Sequence, residues 1–163
     1  MPIKGEKIMA DMLVKLYNFE CDNNLFKSLE EKGITVRRAI GPEKNRAVEF
    51  AKTFHDCWGS ECDVAFAKFP PTCFIAIKDM KIVGFSCIET TSKDFFGPTG
   101  VAEEMRGLHL GKALLHIALQ DLKNRGYAYA IIGDAGPTGF YEKFCGATSI
   151  PDSEPGVYKN LIV

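Results

Sequence analysis

Val101-Ala102-Glu103-Glu104-Met105-Arg106-Gly107-Leu108-His109-Leu110-Gly111-Lys112-Ala113 joins a strand-like segment to the strongest helical pattern in the chain. From Lys112 to Arg125 the apolar residues Leu114, Leu115, Ile117, Ala118, Leu119 and Leu122 form the inner face, and Gly126 follows Lys123 and Arg125 as a C-terminal stop. The start of that helix is unusual. A helix leaves its first four N–H groups unpaired, and a Ser, Thr, Asp or Asn normally caps them; none stands between Met105 and Leu114. Gly107 and Gly111 strip side chains from the turn, and Arg106 and Lys112 flank it with positive charge. An anion such as phosphate would supply the missing cap, with plain solvation of the turn as the alternative. Spacing excludes two other phosphate motifs. A P-loop needs four residues between its first glycine and Gly-Lys, then Ser or Thr, whereas three separate Gly107 from Gly111 and Ala113 follows Lys112; Gly-x-Gly-x-x-Gly occurs nowhere.

Upstream of this stretch, Phe95 to Val101 reads as a strand that Gly97-Pro98 interrupts with a bulge, because proline has no N–H for a ladder. Thr72 to Ile77 and Ile82 to Glu89 are strands whose short link allows only an antiparallel hairpin. Gly41-Pro42-Glu43 opens a helix with a buried stripe of Ala47, Phe50, Ala51, Phe54 and Trp58, and Ile34 to Ile40 precedes it as a strand. Residues 8 to 30 carry Met9, Met12, Leu13, Leu16 and Phe19, then Leu25, Phe26 and Leu29, at spacings that predict two short amphipathic helices, ended by Gly33. Downstream, Tyr127 to Ile132 is a strand, Pro137 opens a helix through Phe144, and Ala147 to Ile150 and Tyr158 to Val163 are closing strands. The expectation is an α/β (α+β) domain over residues 34–163 preceded by an N-terminal helical extension, residues 1–33.

Composition sets the outer limits. A chain of 163 residues with 46% hydrophobic and 25% charged residues has the make-up of one globular domain. Twenty Lys and Arg against twenty-one Asp and Glu give a formal charge of -1, so no global field draws it to nucleic acid or anionic lipid. No apolar run reaches the ~20 residues of a membrane span, and Asp11 and Lys15 interrupt any signal-peptide core. A cytoplasmic protein with no membrane partner is expected, its six cysteines reduced rather than paired. His55-x-Cys57 with Cys62 lacks a fourth ligand at metal spacing, so no metal is assigned.

Arg106-Gly107-x-x-Leu110-Gly111-x-Ala113-Leu114, following a strand that ends in Gly100-Val101, resembles the acyl-CoA pyrophosphate loop of the GNAT superfamily of N-acetyltransferases, with His109 in place of the first glycine of the family pattern. A second match follows in Gly133-Asp134 through Tyr141-Glu142-Lys143, similar to the family's strand, Asn and Tyr-Glu-Lys helix, with Asp134 where many members carry Asn. The resemblance implies a GNAT fold: a mixed, mostly antiparallel sheet flanked by helices and splayed between its fourth and fifth strands. It implies acetyl-CoA (coenzyme A) as co-substrate and no metal. Cofactor contacts would come from Thr99, Gly100 and Val101, from Arg106, Gly107, Leu108, His109, Leu110, Gly111, Lys112 and Ala113, and from Asp134 and Tyr141.

The reaction so implied is direct attack by an amine on the thioester in a ternary complex. Tyr141 is the candidate acid for the departing thiolate, because a phenol near pKa 10 is protonated at neutral pH and still donates to sulfur. The strand from Phe95 to Val101 has no carboxylate, so the general base stays unassigned among Glu89, Asp94 and Glu103. Trp58, Glu61, Asp63 and Glu89 are the candidate acceptor contacts, apolar walls with acids suited to a cationic amine of a small molecule or protein. A relay through Cys87 or Cys145 has no histidine nearby in sequence to activate it. The alternative function is a non-catalytic acyl-CoA-binding module. The stripe in residues 1–33 packs on its own sheet or docks a partner, including a second copy in a homodimer.

Overall fold

The protein's seven strands form one sheet, described by a computed structural model over residues 8–163 in the order β2 (Thr35–Arg38), β3 (Cys73–Lys78), β4 (Lys81–Ile88), β5 (Phe95–Val101), β6 (Tyr129–Ile132), β1 (Met12–Lys15), β7 (Thr148–Ser149). Every neighbouring pair is antiparallel except β5 and β6. That parallel pair is bridged by α4 (Leu110–Asn124), as a parallel connection requires a long crossover. The hairpin between β3 and β4 turns on Asp79 and Met80, both at positive φ, which matches the twist of the flanking strands. Where β5 meets β4, the register runs Ser86↔Thr99 and then Ile88↔Phe96, so Gly97 and Pro98 form the expected irregularity.

Side chains alternate to two cores. Phe74 and Ala76 of β3 face α4 together with α1 (Asn23–Glu31) and α5 (Thr138–Cys145), while Cys73 and Ile75 face α2 (Lys44–Lys52) and α3 (Asp56–Phe66). α1 is the second of the helices expected near the N-terminus, capped by the Asp22 carboxylate, which accepts from Leu25 N–H at 3.2 Å, and followed by Gly33 at φ +76.

The first of those two helices is instead β1. Met12, Val14 and Leu16 are fully buried at alternate positions, and Met12 to Lys15 pair with β6 on one side while Met12 and Leu13 pair with β7 on the other. The apolar residues at 12, 14 and 16 fit a period of two as well as 9, 12, 13 and 16 fit a helix, and partners more than a hundred residues away decide between them. The expected division at residue 33 therefore falls within one continuous sheet; residues 1–7 of that segment lie outside the described residues. A second correction concerns the C-terminal segment. Tyr158 to Val163 is not a strand: the chain forms a single 3-10 turn, Gly156–Tyr158, followed by an irregular tail. The expected strand from 147 to 150 shrinks to Thr148–Ser149.

The single helix expected from Gly41 through Trp58 is two. The chain breaks at Thr53–His55, where His55 is extended and its Nδ1 accepts from Cys57 N–H at 3.0 Å, capping α3. This caps a helix with the histidine of the His-x-Cys pair. Thr53 to His55 turns α3 so that Trp58 and Glu61 face the end of β5.

Candidate functional site

β5 leads into a 3-10 turn, Glu103–Met105, anchored by buried Met105, and then into the left-handed residues Gly107 (φ +84) and His109 (φ +62). His109 is the N-cap of α4, and no side chain caps that end. Histidine tolerates the left-handed region better than most residues, so the turn forms without the glycine of the family pattern. Leu110 and Ala113 are buried and lock the turn into the core, so these two offer a ligand only their backbone. Arg106 is exposed and has no ion pair among the described residues. Lys112 is differently engaged: its Nζ donates to Asp22 Oδ2 at 2.7 Å and lies 5.3 Å from the centre of the Phe144 ring. Leu108 is half-buried, Gly111 leaves ordinary van der Waals space to Phe140, and the His109 ring stands edge-on to Phe144.

β5 and β6 pair only at Phe95↔Ile131 and Phe96↔Ile132. Beyond that, Gly97 to Val101 continues along β4 alone, and the β6 side of its backbone has no strand partner among the described residues. This is the expected splay, between the fifth and sixth strands here because β1 precedes the others. Thr99 turns its hydroxyl to Phe85 O at 3.1 Å. Gly100 is required by contact, because a Cβ there would lie 2.8 Å from the ring of Phe54. Past Ile132 the chain turns through Gly133 and Asp134, whose N–H donates to Asp11 Oδ1 at 3.0 Å and whose Oδ1 accepts from Met9 N–H. Burial pushes the Asp11 carboxyl above its usual range.

Between the parted strands lies a cavity of about 360 Å³. Its walls bring together Thr99, Asp134, Tyr141, Trp58 and Glu61, drawn from β5, the turn after β6, α5 and α3. Tyr141 is nearly buried, edge-on to Phe96 and Phe140, and its hydroxyl has no hydrogen bond to a described residue. Burial raises its pKa, so the phenol is protonated throughout the neutral range. Cys145 donates from Sγ to Tyr141 O at 3.1 Å, and burial lifts its pKa to about 11; Cys87 is fully buried and also raised by burial. Neither thiol is poised as a nucleophile.

Two expected acceptor contacts lie elsewhere. Asp63 is exposed on the outer face of α3, paired with Lys44 at 2.8 Å. Glu89 sits away from the cavity, where its Oε1 accepts from the Tyr127 hydroxyl and from Asp94 N–H, and Arg125 Nη1 approaches Oε2 at 3.7 Å. Burial opposes its ionisation, but Tyr127, the Asp94 N–H and the nearby Lys68 and Arg125 charges overrule burial and hold its pKa down. Asp94 and Glu103 do not line the cavity either.

Glu61 does. Its side chain is 7% exposed, Oε1 accepts from the Thr91 hydroxyl, and Oε2 is buried with no hydrogen-bond partner among the described residues. Burial raises its pKa. One turn away, the buried indole Nε1 of Trp58 also lacks a hydrogen-bond partner among the described residues, while its ring stacks on Phe54 at 5.6 Å. Tyr158, expected at the head of a strand, instead lines the cavity; its hydroxyl occupies the space that a Cβ at Gly133 would take, 2.2 Å away. Only the Gly133 vacancy, invisible without the fold, marks that position.

A family model described as the Acetyltransferase (GNAT) family matches residues 43–147. The chain belongs to the GNAT acetyltransferase family. Acetyl transfer is the general activity of that family, and the parted strands and uncapped helix described above stand inside the matched region. The fold is shared with a GCN5-related glucosamine N-acetyltransferase region of a fungal multi-domain GH3 β-N-acetylglucosaminidase (TM-score 0.70, 14% identity, 86% of this chain and 19% of that one). It is shared with a GCN5-related N-acetyltransferase from Sphaerobacter thermophilus (TM-score 0.61, 17% identity, 86% of this chain and 48% of that one). A predicted acetyltransferase with acetyl-CoA from Clostridium acetobutylicum is also similar (TM-score 0.57, 14% identity, 73% of this chain and 92% of that one). This chain thus spans less than half the length of the first two. No curated protein matches it significantly. Among the described residues no helix is long and apolar enough to cross a membrane.

Proposed function

We propose that this GNAT protein is an N-acetyltransferase that takes its acetyl group from acetyl-CoA and passes it directly to an amine. The single observation that supports this reading most is the parting of β5 from β6 after Phe96, which leaves the stretch Gly97 to Thr99 lining a cavity that also holds the Tyr141 phenol. The fit to acetyl-CoA rests on that stretch and on the α4 N-terminus. There Gly107 and His109 turn the chain in left-handed conformations, no side chain caps the amides, and Arg106 is unpaired among the described residues. Acetyl-CoA supplies an activated acyl group as a thioester.

The chain's own groups then divide the work. Amides at the start of α4, with Arg106, hold the diphosphate through hydrogen bonds and charge. Backbone N–H groups of β5 provide fixed dipoles where negative charge gathers on the acyl oxygen, commonly the largest catalytic contribution. The amine nitrogen forms the new C–N bond, the C–S bond breaks with its electron pair on sulfur, and the Tyr141 hydroxyl gives that sulfur a proton. Phe96 and Ile132 exclude water from the inner end of the gap.

Titration calorimetry with coenzyme A, followed by thiol release from acetyl-CoA across a panel of amines, tests the reading. Binding and amine-dependent release are expected. Binding without release from any amine would leave an acyl-CoA-binding module, and no heat with coenzyme A would remove the cofactor site altogether.

A further inference from the structure

Two buried polar atoms of residues that line the cavity have no hydrogen-bond partner among the described residues, and they are complementary. Glu61 Oε2 is an acceptor and Trp58 Nε1–H is a donor, three residues apart on one face of α3. Leaving either unsatisfied is costly, so the pair describes what should occupy the space between them. The charge pattern adds a constraint: the described residues of the cavity wall include the Glu61 carboxyl and no Lys, Arg or His. A cation with its own acceptor oxygen satisfies all of this, whereas an anion or a purely apolar amine does not.

We infer that Glu61 and Trp58 form the acceptor site, and that it takes a compact primary amine carrying a hydroxyl or carbonyl oxygen a few bonds from the nitrogen. This rests on the acetyltransferase reading for the fate of the amine but not for its binding. The ammonium donates to Glu61 Oε2, and the neighbouring oxygen accepts from Trp58 Nε1–H. Before attack, the ammonium passes one proton to Glu61, freeing the nitrogen lone pair for the C–N bond. The second proton lost from nitrogen restores the phenol of Tyr141 after its own proton has gone to sulfur, and the proton on Glu61 leaves to solvent with the product. The oxygen bonded to Thr91 holds the Glu61 carboxylate in place, and a glutamine keeps that bond. The carboxyl's burial, which raises its affinity for a proton, suits a group that must accept one.

Trp58 is the protein's single tryptophan, so its emission reports on the site directly, with no acetyl-CoA present. 2-Aminoethanol and glucosamine should shift Trp58 emission with saturation, ethylamine should do so more weakly, and ethylene glycol should not. Glu61→Gln, checked for an unchanged melting temperature, should weaken the amine response by roughly 10- to 100-fold, the loss of a charged hydrogen bond. In turnover it should depress kcat/KM for 2-aminoethanol by at least that factor while coenzyme A binding stays within about twofold. An emission response equal in wild type and Glu61→Gln, or none with any amine, overturns the site, even if thiol release shows the protein to be an acetyltransferase. Conversely, an amine response lost in Glu61→Gln, with no thiol release from acetyl-CoA, supports the site and sinks the acetyltransferase reading.

Discussion

Replacing Gly100 by alanine joins the sheet to the site in one measurement. A Cβ there meets three atoms of the Phe54 ring at 2.8, 2.9 and 3.0 Å, the first two closer than real Cβ contacts come. A flat ring held on several sides cannot simply step aside: Phe54 stacks on Trp58 at 5.6 Å and lies 5.4 Å from Phe50 and 6.0 Å from Phe85. Overpacking of this kind costs about 1–3 kcal/mol. At about 2–4 °C per kcal/mol for a domain of this size, the melting temperature should fall by about 2–12 °C. Because Phe54 carries the indole, Trp58 should change its emission maximum and its quenching by acrylamide even in folded Gly100→Ala protein. Scanning calorimetry gives the first quantity and steady-state fluorescence the second. A melting temperature within about 1 °C of wild type, with an unmoved emission spectrum, would refute the claim that the missing side chain at position 100 is what lets the Phe54–Trp58 stack pack against β5.

Tyr141→Phe should lower kcat by roughly 10²- to 10⁴-fold with coenzyme A affinity unchanged by calorimetry; equal turnover would take the phenol out of the proton path. Arg106→Ala should weaken coenzyme A binding by roughly tenfold without changing the melting temperature, because the exposed guanidinium supports nothing within the chain. Glu89→Gln should lower stability by about 1–3 kcal/mol yet leave the KM for amines as it was, the reverse of what a substrate contact would do. His116 Nδ1 accepts from Asp22 N–H at 3.1 Å, its Nε2 is 2.8 Å from Phe144 O, and burial lowers its pKa below the ordinary 6.5. An unfolded chain then binds the proton first as pH falls, so stability present above pH 6.5 should decline from there toward the depressed folded value, by up to about 1.4 kcal/mol per pH unit. Chemical denaturation across that range measures it, and His116→Gln should flatten the slope.

Much of the site could be read before any fold was known, and for a common reason: its signals are local. Missing caps between Met105 and Leu114, the left-handed tolerance of residue 109 and the proline in Gly97-Pro98 act through backbone chemistry within a few residues. Tyr141 was marked by the resemblance to the family's Tyr-Glu-Lys helix, and the structure keeps a helix there. Of the four acceptor candidates, Trp58 and Glu61 reach the cavity while Asp63 and Glu89 do not. That separation depends on the break at Thr53–His55, which sets the rotation of α3, and on Arg125 and Tyr127 arriving at Glu89 from the far end of α4 and the start of the next segment.

The N-terminal and C-terminal segments carry the broader lesson. Residues 34–149 hold hairpins, caps and crossovers whose partners are near in the chain or whose periodicity is unambiguous, and there residue pattern anticipated the order of helices and strands except for the break that makes α2 and α3 two helices. Met12 to Lys15 has too short an apolar run to choose between periods of two and 3.6, and the open edge of β6 chose for it. With β1 in that place, the tail after Tyr158 stays outside the sheet, and Tyr158 fills the gap beside Gly133 and lines the cavity. Backbone preferences are written residue by residue, but a strand's hydrogen bonds belong to two segments at once, and which segments meet is a property of the folded chain alone.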